Sequence, residues 1–513
     1  MRSISIDAGN PGVRRGGVPA GAGAFVCVFM AVSSLAAALP VAAHLALPAL
    51  GPVMSLVVAL CLMQGGPAMA VPLLLFVFTF QNSFVAILLP LLPDAEAFDT
   101  VRGYNFVTAT LLWAGFAVFH LRERRGDPPA VRRLMALSFA MVAAAVAYCA
   151  LGAATDLRGA IVYLRNIALP VMLFQIAVVA GARLAVPLER LLPVLMLMAL
   201  AFGYGELLAY DALATLVNAD GYLALRFRRL VDSGFWLKAV EASGRVLRDE
   251  RDMLLVNLFN VPWFADLGLV LRRLNGPNFH PISFSYLLGV LSLVLLVAGR
   301  PLWLVAAVPL LIVTGSKGAI AFLLMSLAGY WLLRRLPRLG APTFLLLLTG
   351  YAAAAFVVGL EQRDYHVLGL VAGLESFTAN PLGHGLGSGG NLAADPAMLD
   401  WRRAQSLGMA GQAVESALGV LLHQMGVGGL GLLAGYLLIA RSALRFYRAG
   451  GEPVLALVGL AVPAILVNGA FQEEALFAPL ALGALMLVAG VAIGRASRQG
   501  VSRAGHLPRE THR

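Results

Sequence analysis

Apolar stretches recur along the whole chain, near 22–43, 47–63, 69–92, 104–121, 134–151, 160–181, 188–209, 283–298, 301–314, 318–333, 343–360, 414–440, 453–468 and 476–494. A bilayer core takes ~20 helical residues to cross, and inside it every backbone polar group must be bonded internally. Runs of this kind can therefore fold only as helices in a membrane. Hydrophobic residues make up 60% of the chain and charged ones 13%, with a mean hydropathy of +0.82. A soluble domain is nearer half apolar and a quarter charged. The expectation is an all-α polytopic membrane protein of about 14 transmembrane helices, forming one domain over 1–513.

A net charge of +11 would suit a nucleic-acid binder, but the arginines lie mostly in short loops between the apolar runs. Arg122, Arg124, Arg125, Arg132 and Arg133 make one basic loop, and Arg334, Arg335 and Arg338 another. Arg441, Arg445 and Arg448 follow, then Arg495, Arg498 and Arg503 in the tail. Loops on the alternate side carry Asp94, Glu96 and Asp99, then Asp156, then Glu473 and Glu474. Positive residues mark cytoplasmic loops. The alternation predicts both termini in the cytoplasm, and no nucleic-acid partner. Cys27, Cys61 and Cys149 all fall in apolar runs, so no disulfide framework is implied. Arg2, Arg14 and Arg15 lead directly into membrane segments, which reads as a cytoplasmic start rather than a cleaved signal.

Lys238 and Lys317 are the only lysines, and Lys317 interrupts the apolar run "LLIVTGSKGAIAFLLM". A lysine at mid-membrane costs roughly 2.5–3.5 kcal/mol. One long helix through 301–333 would also invert every later loop. A break at Thr314-Gly315-Ser316 keeps the alternation and puts Lys317 at the outer face. Two outer loops are large. Residues 210–282 mix charges of both signs and suggest an amphipathic surface helix from Phe235 to about Leu258. Residues 361–413 contain the Gly-rich "NPLGHGLGSGG", and loops of this length are usually functional.

Several motifs fail on spacing. "GSKG" lacks the G-x-x-x-x-G-K-[ST] pattern of a phosphate loop, the histidines show no H-E-x-x-H, and there is no G-x-S-x-G elbow. No metal and no other cofactor is expected. His423 sits in an apolar run, where helix–helix bonding is the plain reading, whereas His384 in the Gly-rich loop is a candidate polar catalytic group. Three stretches enter or break helices on the outer side: "RRLNGPNFHPISFSYLLG" at 272–289, "TGSKG" at 314–318 and "ESALGVLLHQMGVGG" at 415–429. They bring cations and a carboxylate to one side of the membrane. Such cations can hold a lipid-linked diphosphate, and the carboxylate can orient or deprotonate a sugar hydroxyl.

In these stretches the chain resembles the O-antigen ligase and Wzy-polymerase superfamily, bacterial glycosyltransferases of the GT-C type. Arg273, Gly276 and Pro281 fit the family's R-x-x-G…P pattern, and Ser316-Lys317-Gly318 sits where the family has S-R-G at a helix break. Glu415-Ser416, nine residues and then Gly426-Val427-Gly428-Gly429 fit the spacing of the ligase signature H-[NSQ]-x9-G-x-x-[GTY]. The likeness covers 270–435 in detail. Glu415 stands where the ligase has histidine, which favours a polymerase. Lys317 stands where the family has arginine, keeping charge but losing the bidentate fork.

The resemblance implies a polymerase of O-antigen or exopolysaccharide repeats, using undecaprenyl-diphosphate-linked glycan, with a flippase and a chain-length regulator as partners. Arg273 and Lys317, with Arg272 beside them, become the diphosphate ligands, and Glu415 and His384 the catalytic candidates. Two alternatives stay open: a ligase to a lipid or protein acceptor, and a non-enzymatic polysaccharide flippase or transporter. A transporter needs polar groups along a mid-membrane path. Gln81, Asn82 and Glu206 are the main candidates for one.

Overall fold

A computed structural model describes residues 22–232, 254–258, 268, 270–392, 401–410 and 413–505. The chain is a multi-pass helical membrane protein. Nine helices among the described residues are long and apolar enough to cross a membrane, and four shorter apolar helices run with them.

The first part contains α1 (Ala22–Ala46), α2 (Leu50–Gly65), α3 (Ala70–Leu88), α4 (Ala95–Val101), α5 (Tyr104–Arg122), α6 (Pro129–Gly152), α7 (Leu157–Arg183) and α8 (Leu188–Leu208). Two shorter helices follow, α9 (Tyr210–Val217) and α10 (Ala219–Asp232). A small ribbon then pairs β1 (Leu255–Asn257) antiparallel with β2 (Val270–Arg272), with Leu255 opposite Arg272. The second part holds α11 (Pro281–Val297), α12 (Leu302–Thr314), α13 (Lys317–Arg335) and α14 (Gly340–Glu361). It continues with α15 (Tyr365–Ala379), α16 (Trp401–Leu407), α17 (Ala417–Met425), α18 (Val427–Arg448), α19 (Pro453–Asn468), α20 (Glu474–Phe477) and α21 (Ala484–Gly505).

Two of the sequence expectations change. Most of the helix expected over Phe235–Leu258 lies outside the described residues, but its end is strand β1, whose partner β2 carries apolar Val270 and Leu271. The span 361–413, read from sequence as a loop, contains α15 and α16.

The closest helix pair is α7 with α21. In hydrocarbon, helices associate where small residues let backbones approach. A Cβ on Gly494 would lie 2.4 Å from the Val178 carbonyl oxygen, and one on Gly490 2.6 Å from the Ala177 Cβ. A Cβ on Gly181 would lie 2.5 Å from the Val491 carbonyl oxygen. Ala177 and Gly181 thus face Gly490 and Gly494 at the same four-residue spacing. Polar side chains add to this packing. Gln175 on α7 accepts from the Trp113 indole on α5, and its amide donates to Ser138 on α6 at 2.9 Å.

The bundle has two chemically distinct ends. At one, Arg183 bonds Asp127 and Glu123 at 2.6 Å each, Asp127 meets His120 at 2.6 Å, and Arg495 pairs with Glu189. At the other end the helix breaks and interhelical segments gather, and the motifs lie there.

Candidate functional site

The site begins at a break between two helices. α12 stops at Thr314 because Gly315 turns left-handed at φ 65°, and α13 restarts at Lys317. Thr314 is fully buried, its hydroxyl bonded to Ser285 at 2.5 Å and to the Leu311 carbonyl at 2.9 Å. Its own carbonyl accepts from Arg273 Nε at 2.9 Å. Lys317 is the first residue of α13 and is exposed. Gly318 meets the segment after α19: its carbonyl accepts from Asn468, and a Cβ there would lie 2.1 Å from Gln472 Oε1. A larger residue there would have to move the Gln472 amide, which also accepts from Tyr286 OH at 2.9 Å and lies next to Glu473 and Glu474.

Arg273 is placed by buried polar groups of the early helices. Both Glu206 oxygens on α8 accept from the loop after β2, from Asn275 N and Gly276 N at 2.8 Å each. On α3, Asn82 donates to the Asn278 carbonyl at 2.8 Å and Ser83 to the Pro277 carbonyl at 2.7 Å. Gln81 donates to the Val101 carbonyl at 3.0 Å. The polar residues expected to be deepest in the membrane are therefore loop anchors. Arg272 stacks over Tyr210, 4.1 Å from the ring centre, within reach of Glu206.

Three further arginines, which sequence reading missed, extend from Arg273. Arg226 on α10 donates to the Phe279 carbonyl, and Phe279 stacks on Tyr222 at 4.3 Å. Arg102 lies over Phe98 at 5.0 Å and pairs with Asp99 at 3.4 Å. Arg165 on α7 lies over Phe106 at 4.1 Å, and its buried Nε has no hydrogen-bond partner among the described residues. Arg102 feels Arg165 and Arg226, and Arg226 feels Arg273. Burial lowers the affinity of Arg226 and Arg273 for their protons. Burial together with Arg226, Arg273 and Arg102 pushes His280 down to about 3, so this imidazole is neutral in the physiological range.

Opposite the cations stand carboxylates. Glu415 holds a left-handed backbone at φ 62°, a conformation that costs a non-glycine residue roughly 1–3 kcal/mol. The next residue explains how it is held. Buried Ser416 caps α17 by accepting from Gly419 N at 3.0 Å, and it donates to the Ala470 carbonyl at 2.7 Å. The Glu415 carbonyl faces His366 Nδ1 at 3.0 Å, with its carboxylate 3.8 Å from the same nitrogen. Glu474 lies within electrostatic reach of Glu415, His366 and Arg273. Burial and Glu415 raise its pKa, while His366 and Arg273 lower it. Burial and the carboxylates Glu415, Asp364 and Glu474 push the Tyr365 phenol up to about 12. Glu473 is buried, accepts from Tyr163 OH at 2.7 Å and from Asn391 N at 3.2 Å, and is pushed up to about 8 chiefly by burial.

His384 lies elsewhere, on the Gly-rich loop, stacked at 4.7 Å on His423. That loop is packed as structure. Gly385 N donates to the Gln424 carbonyl at 2.9 Å and Leu386 N to the Tyr148 carbonyl at 3.0 Å. Gly385 and Gly387 take φ 90° and 87°, and a Cβ on either would lie 2.5 Å from a backbone nitrogen of Gly152 or Ala160. Only glycine fits there.

The structure therefore links Arg273, the 314–318 break, Glu473, Glu474, Glu415 and His366, and pairs His384 with His423. A usable sequence signal existed for Arg165, a charge inside an apolar run just as Lys317 is. His366 gave none, because its partner is 49 positions away. Among the described residues no group of three His, Cys, Asp or Glu side chains is disposed to hold a metal ion. A cavity of about 310 Å³ opens at the opposite end of the bundle, between Leu192, Val294, Val491, Arg300, Glu452 and Arg495, away from these groups. No family model, no curated protein and no solved structure matches the chain.

Proposed function

We propose that the chain is a bacterial inner-membrane glycosyltransferase of the GT-C type that polymerises polysaccharide repeats, O-antigen or exopolysaccharide, from undecaprenyl-diphosphate-linked donors. The observation that carries this reading is Glu474, which feels both Arg273 and Glu415 and so joins an arginine cluster to a carboxylate–imidazole pair. On this reading the end with the site faces the periplasm, and the arginine-rich end and both termini face the cytoplasm. The nine long helices, the four shorter ones and α13 then make the crossings. A flippase would supply the donor and a chain-length regulator would act on the product.

The reaction transfers the anomeric carbon of the donor glycan from a phosphate oxygen to an acceptor hydroxyl oxygen. Undecaprenyl diphosphate leaves as an anion. Arg273, Arg226, Arg102 and Arg165 supply fixed positive charge for that leaving group, the kind of preorganised electrostatic stabilisation that contributes most to catalysis. Lys317 adds a charge at the N-terminus of α13, where the helix dipole also favours anions. Glu415 orients or activates the acceptor hydroxyl. A transporter path receives less support, since Gln81, Asn82 and Glu206 are all bonded to backbone of other segments.

The test uses purified protein in liposomes with lipid-linked repeat units. The expected product is a ladder of polymer with released undecaprenyl diphosphate. A single transfer to a lipid or protein acceptor, without a ladder, would assign a ligase. Absence of both product and donor binding would overturn the reading.

A further inference from the structure

We infer that His366 is the general base of the site and that Glu415 is the residue that positions it. The inference rests on the glycosyl-transfer reading. His366 stands at the start of α15, with its backbone N–H bonded to Asp364 Oδ1 at 2.9 Å and its ring against Tyr365, centres 4.2 Å apart. Nδ1 lies 3.0 Å from the Glu415 carbonyl oxygen. A carbonyl oxygen can only accept, so Nδ1 carries the hydrogen and donates it. The tautomer is thereby fixed, and Nε2 keeps the lone pair of a base. No described residue bonds Nε2.

The left-handed backbone of Glu415 acquires a purpose in this arrangement. It aims the carbonyl at His366 while leaving the carboxylate 3.8 Å from Nδ1. Once Nε2 takes a proton, the Nδ1 edge of the imidazolium faces the Glu415 carboxylate, with Glu474 within electrostatic reach. Arg273, Tyr365 and Asp364 are the other titratable groups around them. This is a nucleophile–base–orienter arrangement of the usual kind, with the sugar hydroxyl as the nucleophile. His366 and Glu415 are each 24% exposed, so a substrate can reach the pair. An imidazole also matches proton transfer near neutral pH better than a carboxylate does.

The step balances as follows. The acceptor hydroxyl proton passes to His366 Nε2, and its oxygen forms a bond to the donor anomeric carbon. The bond from that carbon to phosphate breaks, and the electron pair leaves on the lipid diphosphate. Glu415 is unchanged.

The experiment compares His366→Ala, His366→Gln and Glu415→Gln in the full chain in liposomes, measuring turnover, donor Kd and thermal unfolding. His366→Ala is expected to lower kcat by ~10²–10⁴-fold with donor Kd unchanged. Added imidazole should restore part of the loss in His366→Ala and none in Glu415→Gln. The double variant should be little worse than His366→Ala, because the two residues act as a unit. Wild-type kcat in both His366 variants would overturn the inference while leaving glycosyl transfer standing. Loss of donor binding or of fold in both, without imidazole rescue, would overturn it in favour of a structural role. A wild-type protein that neither binds donor nor makes product would remove the transfer reading and this inference together.

Discussion

Arg273 closes the carboxyl end of α12, its Nε donating to the Thr314 carbonyl oxygen at 2.9 Å from 41 positions away in the sequence. The last carbonyls of a helix lack intrahelical partners and carry partial negative charge, so a cation there is doubly suited. The bond uses one of the five guanidinium hydrogens, and no described residue bonds the terminal nitrogens, which can fork a phosphate. Lysine cannot do both. Arg273→Lys should therefore weaken donor binding by about tenfold or more and destabilise the fold by ~1.5–3 kcal/mol. Donor titration and thermal unfolding of the same preparation check this. A lysine variant equal to wild type in both would leave Arg273 without either role.

Lys317 starts α13 with its side chain exposed. If it faces the donor, Lys317→Arg should keep most of the activity, whereas Lys317→Ala should lose at least tenfold in donor affinity, roughly one charge-assisted hydrogen bond. Equal polymer yield from the alanine variant at matched protein level would make Lys317 an anchor at the membrane surface.

Glu473 makes a prediction about pH. Burial raises its carboxyl from the ordinary 4.5 to about 8, so the folded chain holds a proton that the unfolded chain releases between those values. The contribution to stability is full below the lower value, declines as pH rises through the window and is flat above it. Glu473→Gln should remove that decline from the unfolding curve measured between pH 4 and 9. Glu473→Ala should cost ~1–3 kcal/mol at any pH, because Tyr163 OH and Asn391 N–H lose their shared acceptor. A slope unchanged in the glutamine variant would rule Glu473 out as its source.

Membrane sidedness is tested with single cysteines in a background lacking Cys27, Cys61 and Cys149. Thr378 on α15 and Pro337 between α13 and α14 are both exposed. An impermeant thiol reagent applied to intact spheroplasts should label Thr378→Cys and spare Pro337→Cys. The reverse pattern would put the arginine-rich end outside and place the site in the cytoplasm.

Much of the fold was readable because hydrocarbon imposes so few options on a backbone. Long apolar runs became helices, and Gly315 broke α12 from α13 where its neighbours Thr314 and Ser316 suggested. Two kinds of information were not readable. Short-range structure in the interhelical segments depends on tertiary partners, so 255–257 became a strand by pairing with 270–272, and 365–379 became a helix by packing against α17. The site itself is assembled across long separations. Arg165 reaches the cluster from α7, Arg226 from α10 and His366 from α15, and nothing in their local sequence marks them as neighbours. Glu473 and Glu474 were visible only as a topology marker, because their chemistry comes from burial against Tyr163 and from Glu415.

The seam between α7 and α21 has a consequence for how such a chain can change over generations. α7 carries Tyr163 and Arg165, and α21 follows directly on the segment holding Glu473 and Glu474. A side chain added at Gly181, Gly490 or Gly494 would displace groups whose chemistry tolerates errors of about 0.5 Å, although none of the three touches them. Selection on the proposed reaction would thus be felt at glycines buried deep within the bundle. α14, whose apolar span is only 17% buried, meets lipid along most of its surface and is freer to drift in sequence as long as it stays apolar. Two lineages sharing this reaction would be expected to diverge fastest on such lipid-facing helices and slowest along the seam.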